Sequence, residues 1–279
     1  TSPFSMISDY KLVTPFYEVE SVSDGSFSRL FDKEFNREIL TEKGFGNRLV
    51  MFEDKPMNYD AWDIDIYYSE KSWTTDSVES FEWISVGPVY ATLKIVKRMS
   101  LSTITQYITF YADSRRIDIK NTVDWKNSQV LLKVFFDTNV HSDEATFDIQ
   151  FGSLKRKTHT NTSWDVARFE VCGQKYVDVS EGRYGVALLN DCKYGHSVKN
   201  GQIGLSLIKS GIYPNPEADK EMHEFTYSLY PHGSSFIDSD VIEQSYYLNQ
   251  PMLSFDGKGS VDQFSLVSIN KQNVVLETV

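Results

Sequence analysis

Three carboxylates surround an indole in the segment Tyr59-Asp60-Ala61-Trp62-Asp63-Ile64-Asp65. In an extended chain Asp63 and Asp65 would project from one face roughly 6 to 7 Å apart, close to the separation of the carboxyl pair in a retaining glycosidase. Trp62 suits the same chemistry, because the axial C–H face of a sugar stacks on an aromatic ring while neighbouring acids accept its hydroxyls. On the residues alone the plainer reading, an exposed acidic turn, takes precedence.

A second polar cluster is Thr158-His159-Thr160-Asn161-Thr162-Ser163-Trp164-Asp165 with Arg168. Hydroxyl, amide, imidazole and indole groups with few aliphatics make the inventory of a polar binding loop, and equally of a turn whose side chains bond its own backbone. Asn161-Thr162-Ser163 matches a glycosylation acceptor, which has no use in a chain without an export signal. A third cluster, Asn190-Asp191-Cys192-Lys193-Tyr194-Gly195, follows directly on the apolar run Gly185 to Leu189. Lys193 could lower the Cys192 thiol pKa, yet a buried, inert thiol is the simpler expectation. In the stretch from His223-Glu224 to Pro231-His232, two imidazoles and a carboxylate could ligate zinc, but the spacing fits no compact zinc pattern and a strand ending in Pro-His explains it with less.

Strands must position these clusters. The dominant hydrophobic period is two, which sends alternate side chains to opposite faces of a strand. Ala91, Leu93 and Ile95 follow Val89 on one face; Ile104, Ile108 and Phe110 repeat the pattern, as do Ile117, Ile119 and Val123, then Val130, Leu132, Val134 and Phe136. These read as consecutive antiparallel strands of a meander. The pattern returns at Phe147 to Phe151, Phe169 and Val171, Val186 to Leu189, Ile203 to Leu207 and Phe225 to Leu229, and Asp24-Gly25 marks a hairpin turn near the start. One helix is predicted, capped by Asp240 with Glu243 at the capping-box position and stopped by Asn249 and Pro251. So many amphipathic strands require a second sheet over their apolar faces, so the expected fold is all-β, a large antiparallel sandwich with at most one or two short helices, formed as a single domain over residues 1–279.

The 279 residues carry a net charge of −11, which repels phosphate backbones and anionic lipid and argues against nucleic acid or a membrane surface as partner. No apolar stretch approaches a membrane span, and no basic segment leads into an apolar core at the N-terminus. With only Cys172 and Cys192, a reducing, cytoplasmic compartment fits best, one disulfide staying open. The chain starts Thr1-Ser2-Pro3 without methionine and stops inside the strand-like run Val274-Val275-Leu276-Glu277-Thr278-Val279, which leads us to expect a piece of a longer polypeptide.

At these same segments the sequence resembles the C-terminal β region of glycoside hydrolase family 38 α-mannosidases, the bacterial and cytosolic branch in particular. The resemblance runs collinearly through Gly46-Asn47-Arg48 to Pro56, Asp60-Ala61-Trp62-Asp63, Ile117-Asp118 to Trp125, Gln150-Phe151-Gly152, Thr158-His159 to Glu170, Tyr184 to Gly195 and His223 to His232. It implies a galactose mutarotase-like supersandwich that packs against an N-terminal catalytic domain and lends loops to the sugar pocket. It also implies retaining, zinc-dependent hydrolysis of α-mannosides, with the aspartate nucleophile, the acid/base carboxylate and the zinc ligands in that other domain. No cofactor and no catalytic residue is then expected in this chain. Transferred by position, the substrate-pocket or domain-interface candidates are Asp60, Trp62 and Asp63; His159, Asn161, Trp164, Asp165 and Arg168; and Asn190, Asp191 and Lys193. Lys157 stands where relatives have proline, and Gly173-Gln174-Lys175-Tyr176 departs from their Ala-His-Lys-Trp, so the edge of the second loop is expected to be reshaped.

The partners expected are the catalytic domain and an α-mannoside oligosaccharide, with a homo-oligomer left open. Two other readings compete: a free-standing sugar-binding module, or a mutarotase-like epimerase using His and a carboxylate as base and acid. A third use of Trp62 and Trp164 is as an inter-domain face.

Overall fold

Gly25, at φ +81°, closes the hairpin between strands Tyr17–Ser21 and Phe27–Asp32, a conformation in which a side chain would be strained. The pair sits in a five-stranded sheet that runs from Ser5–Ser8 to Arg37–Glu38. The computed structural model describes residues 2–257, 259, 263–271 and 274–276. Every strand pairing in it is antiparallel, and two further sheets complete the fold.

The nine-stranded sheet is the base layer. Its order is Gly152–Lys157, Glu144–Ile149, Tyr176–Glu181, Tyr184–Asn190, Met222–His232, Ile117–Asp124, Ser102–Tyr111, Tyr90–Met99 and Ser77–Val86. Strand Ser102–Tyr111 alternates buried and half-buried residues along its whole length, as period-two patterning requires when one face meets a second layer. The opposing layer joins the five-stranded sheet to a six-stranded one ordered Val171–Cys172, Gly195–Lys199, Gln202–Ser210, Val130–Asp137, Arg48–Glu53 and Ser72–Trp73, with bridges at Phe27–Gly46 and Leu40–Thr138. Ring contacts cross the core between the layers: Phe27 on Phe110, Phe136 on Tyr227 and Phe147 on His196. One continuous apolar cluster draws on all three sheets.

The predicted meander ends sooner than its periodicity implied. Tyr90–Met99, Ser102–Tyr111 and Ile117–Asp124 pair in succession, but Val130–Asp137 leaves for the six-stranded sheet between Arg48–Glu53 and Gln202–Ser210. Alternation cannot name a strand's neighbour; the buried run Val130–Phe136 needs cover on both faces and finds it between the nine-stranded sheet and, on the outside, Ile64 and Tyr68. Phe151 corrects another expectation, being fully exposed at φ +58° in the turn between Glu144–Ile149 and Gly152–Lys157.

Inside the core the gaps in the apolar pattern are filled by a polar network. Gln106 and Asn121 are cross-strand partners, and the Gln106 Nε2 donates to Asn121 Oδ1 at 2.8 Å and to the Tyr227 hydroxyl at 2.9 Å. Tyr227 in turn donates to Asn47 Oδ1 at 2.6 Å, and all four residues are fully buried. Such a network is tolerated because its members satisfy one another.

Two helices lie outside the sheets: α1 (Ser163–Ala167) and α2 (Val241–Asn249). Helix α2 covers Tyr176, Ala187, Leu189 and Tyr230 on the outer face of the nine-stranded sheet through Val241 and Leu248. Asp240 is its N-cap residue, but the expected capping box does not form: the Asp240 carboxylate accepts from the Tyr230 hydroxyl and Gln244, and Glu243 accepts from the Tyr247 hydroxyl. Among the described residues no helix is long and apolar enough to cross a membrane. Of the strand-like run at the end of the sequence, Val274–Leu276 are exposed and outside any strand, and Glu277–Val279 lie outside the described residues, as does Thr1.

Candidate functional site

The outer face of the six-stranded sheet carries a small apolar cluster of its own, Val50, Phe52, Leu131 and Phe135, roofed by Ile64 and Tyr68. Where this roof stops, a cleft of about 390 Å³ opens between the residues that follow the first polar cluster and the second cluster. Ile66, Tyr68 and Ser69 bound it on one side; Thr158, His159, Asp165, Arg168 and Phe169 bound it on the other, over a floor that includes Phe52, Phe135 and Ser197.

The first segment is a turn, so the extended geometry considered for Asp63 and Asp65 does not occur. Tyr59 has φ +53°, its carbonyl accepts from the amides of Trp62 and Asp63, and a short 3-10 helix, Ile66–Glu70, follows. Asp65 Oδ2 accepts from the Met57 amide at 2.8 Å, closing the turn on itself. Asp60 Oδ2 accepts from the amides of Ile212 and Tyr213 at 2.5 and 3.1 Å, tying the segment to the 211–213 loop. Asp63 is exposed and Trp62 is 70% exposed on the rim; neither lines the cleft.

The second cluster bonds its own backbone, and part of it lines the cleft. Thr162 caps helix α1 in a complete capping box: its hydroxyl accepts from the Asp165 amide at 3.2 Å, and Asp165 Oδ2 accepts from the Thr162 amide at 3.1 Å. The Thr162 hydrogen bonds hold the Asp165 carboxyl below the ordinary carboxylate range. His159 Nδ1 lies 3.6 Å from Asp165 Oδ2 and accepts from the Asn161 amide at 3.4 Å. His159, Asp165 and Arg168 face the cleft, whereas Asn161 lies outside its lining and Trp164 points outward, 75% exposed.

The third cluster serves its own strand end. Asn190 donates to the Gln174 carbonyl at 2.7 Å and accepts from the Lys193 amide at 2.7 Å; Asp191 accepts from the Thr226 amide at 2.9 Å; and Lys193 Nζ stands 4.7 Å over the Phe225 ring. None of the three lines the cleft. The chain leaving the second cluster nonetheless pairs with the chain leaving the third, Val171 opposite His196. Cys192 is exposed, not buried as expected, yet partial desolvation of its thiol and the Asp191 contact push it up to about 12, so Lys193 does not activate it; Cys172 and Cys192 are both free.

The histidines of the fourth stretch sit at opposite ends of Met222–His232, roughly 30 Å apart along an extended strand. His223 Nε2 meets the Asp219 carbonyl at 2.7 Å, and buried His232 meets Asp178 at 2.8 Å. Among the described residues no group of three or more His, Cys, Asp and Glu side chains is placed to hold a metal ion.

Sequence reasoning passed over Lys133, Tyr68 and Glu170. Lys133 is fully buried beneath the cleft, where it donates to Glu170 and to Ser197 Oγ. A signal existed: one lysine in the otherwise apolar run Val130 to Phe136 demands a buried carboxylate.

Residues 12–217 match the sequence profile described as the glycosyl hydrolases family 38 C-terminal domain. The chain belongs to this family. The family 38 chain is 37% identical over 283 residues to α-mannosidase G of Dictyostelium discoideum, a match covering 97% of this chain and 26% of that protein. It is also 37% identical to α-mannosidase 2C1 of Homo sapiens, covering 87% of this chain and 24% of the relative. It thus spans about a quarter of the length of these curated relatives. In fold it superposes on an α-mannosidase from Enterococcus faecalis V583 with a TM-score of 0.74 at 17% identity, covering 90% of this chain and 32% of that one.

Proposed function

We propose that this family 38 domain is the C-terminal β unit of a longer α-mannosidase, residues 1–279 forming one sandwich that rests on an N-terminal catalytic domain and contributes a wall of the sugar pocket. The observation that carries this is the collinear similarity to α-mannosidases along 97% of the chain. The cleft supports it: its aromatic floor, with His159, Asp165 and Arg168 at its edge, has the apolar surface and polar rim that a sugar needs.

The chemistry itself belongs to the other domain. A retaining glycosidase needs two carboxyl groups about 5 to 5.5 Å apart, one to attack and one to move protons. The cleft lining presents a single carboxylate, Asp165, and that one is committed to the capping box of α1. Zinc, on this reading, is held by the catalytic domain, as the resemblance to family 38 implies. The natural substrate is an α-mannoside oligosaccharide, handled in the cytoplasm. Trp62 and Trp164, standing out from the rim, together with Asp60, Asp63 and Asn161, meet either the sugar or the catalytic domain. Asn190, Asp191 and Lys193 act further back, holding the strand end beside which the second loop departs.

The test is turnover of an aryl α-mannoside by the full-length enzyme and by this chain alone, each with and without zinc. Turnover by the full-length enzyme only is expected. Turnover by the isolated chain, or none by either, overturns the reading. Calorimetric binding of mannobiose by the isolated chain would favour a free-standing sugar-binding module.

A further inference from the structure

We infer that Glu170 and Lys133 form a buried clamp that joins the two loops bounding the cleft, making Glu170 a positioning residue for the sugar-facing rim. Lys133 lies on the outer face of strand Val130–Asp137, in register with Val50 and Ser206, beside a β-bulge. Its side chain is fully buried, and its ammonium reaches three partners, Glu170 Oε1, Ser197 Oγ at 2.9 Å and the Tyr68 hydroxyl at 3.5 Å. Three N–H groups meet three partners, against a burial that pulls the Lys133 ammonium down to about 7.

Glu170 collects bonds from separate parts of the chain. Besides Lys133, Oε1 accepts from the Tyr68 hydroxyl at 3.0 Å and Oε2 accepts from Ser206 Oγ at 3.2 Å. Tyr68 belongs to the 3-10 helix of the first loop, Glu170 ends the second loop just before strand Val171–Cys172, and Lys133, Ser197 and Ser206 come from three adjacent strands below. One carboxylate therefore binds both walls of the cleft to one floor. Burial raises the Tyr68 phenol to about 12, so it stays a donor throughout the neutral range, and it packs edge-on against Phe52 at 5.1 Å.

A clamp of this kind predicts coupled behaviour that a merely stabilising pair does not. Replacing both charges by apolar groups of similar size, Lys133→Met with Glu170→Met, leaves no uncompensated buried charge and so preserves overall stability. It also deletes the hydrogen bonds by which Glu170 ties Tyr68 to the second loop, while the ring contact of Tyr68 with Phe169 at 6.3 Å remains. The role toward substrate rests on the function proposed above; the clamp itself does not.

The experiment is carried out on the full-length enzyme carrying the double substitution, with Lys133→Met combined with Glu170→Gln as the second variant. Amide hydrogen exchange is read in residues 57–70 and 158–169 and, as internal reference, in strands Ser102–Tyr111 and Ile117–Asp124. The double variant is expected to speed exchange at least tenfold in both loops together, leave the reference strands unchanged, and raise KM for an aryl α-mannoside with kcat close to wild type. Lys133→Met with Glu170→Gln, which keeps an acceptor for Tyr68 and leaves no unpaired charge, is expected to recover most of the KM. Unchanged exchange, or acceleration in one loop alone, overturns the clamp. A joint acceleration with KM unmoved overturns the positioning role. A wild-type enzyme without mannosidase turnover instead overturns the proposed function, and the exchange result still judges the clamp.

Discussion

Acidification should unfold this protein in part through one imidazole. His196 is fully buried in strand Gly195–Lys199, edge-on to Phe147 at 6.0 Å, with Nδ1 3.3 Å from the Tyr194 carbonyl and Nε2 without a partner among the described residues. Burial pulls it from the ordinary 6.5 down to about 4; the Tyr194 hydrogen bond opposes this, and the Lys133 and Arg156 charges add to it. The unfolded chain takes up the proton first, so the stabilising contribution of neutral His196 is complete above pH 6.5 and is lost as pH falls towards 4. A gap from 6.5 to about 4 corresponds to about 3 kcal/mol in all, of which about 2 kcal/mol is gone by pH 5. Urea unfolding of wild type and His196→Leu at a series of pH values isolates this contribution, because every other titrating group is common to both proteins. The wild-type advantage should shrink by about 2 kcal/mol between pH 7.5 and pH 5. Parallel stability curves, or a native His196 proton resonance titrating near 6.5, would refute the reasoning.

Three further outcomes follow from the same geometry. A Cβ at Gly204 would lie 2.5 Å from Ser197 Oγ and 2.8 Å from the Phe135 ring, so Gly204→Ala should cost about 1–3 kcal/mol in urea unfolding by overpacking the cleft floor. Thr162→Ala removes the capping box of α1 and should cost about 1 kcal/mol locally, seen as roughly fivefold faster exchange in residues 163–168 with the global midpoint nearly unmoved. Asp60→Ala removes the acceptor for the Ile212 and Tyr213 amides and should make the 211–216 loop a preferred site of limited proteolysis; an unchanged cleavage pattern would show that the tie carries no load.

Much of the fold could be read from the alternation of residue types, because a strand that buries one face must place its apolar residues two apart. Ile104, Ile108 and Phe110 are buried as that rule demands. The same rule is silent on pairing, which is why Val130–Asp137 was assigned to a meander it leaves. At the candidate site, composition picked out the loops but not their uses. Asp60, Asp65 and Asn190 carry the polar groups of a binding site and spend them on neighbouring backbone, a choice made by whichever amide or carbonyl the fold brings within 3 Å.

What the sequence alone determined is therefore the strand content, the hairpin at Asp24-Gly25, the family and the three polar segments, since each rests on local spacing or on residue-by-residue similarity. What only the tertiary structure decided is convergence. Tyr68, Lys133, Glu170, Ser197 and Ser206 are spread across more than a hundred residues and meet under one cleft. The physical reason is that a buried ammonium requires its carboxylate in space, whereas nothing requires the two to be near each other along the chain.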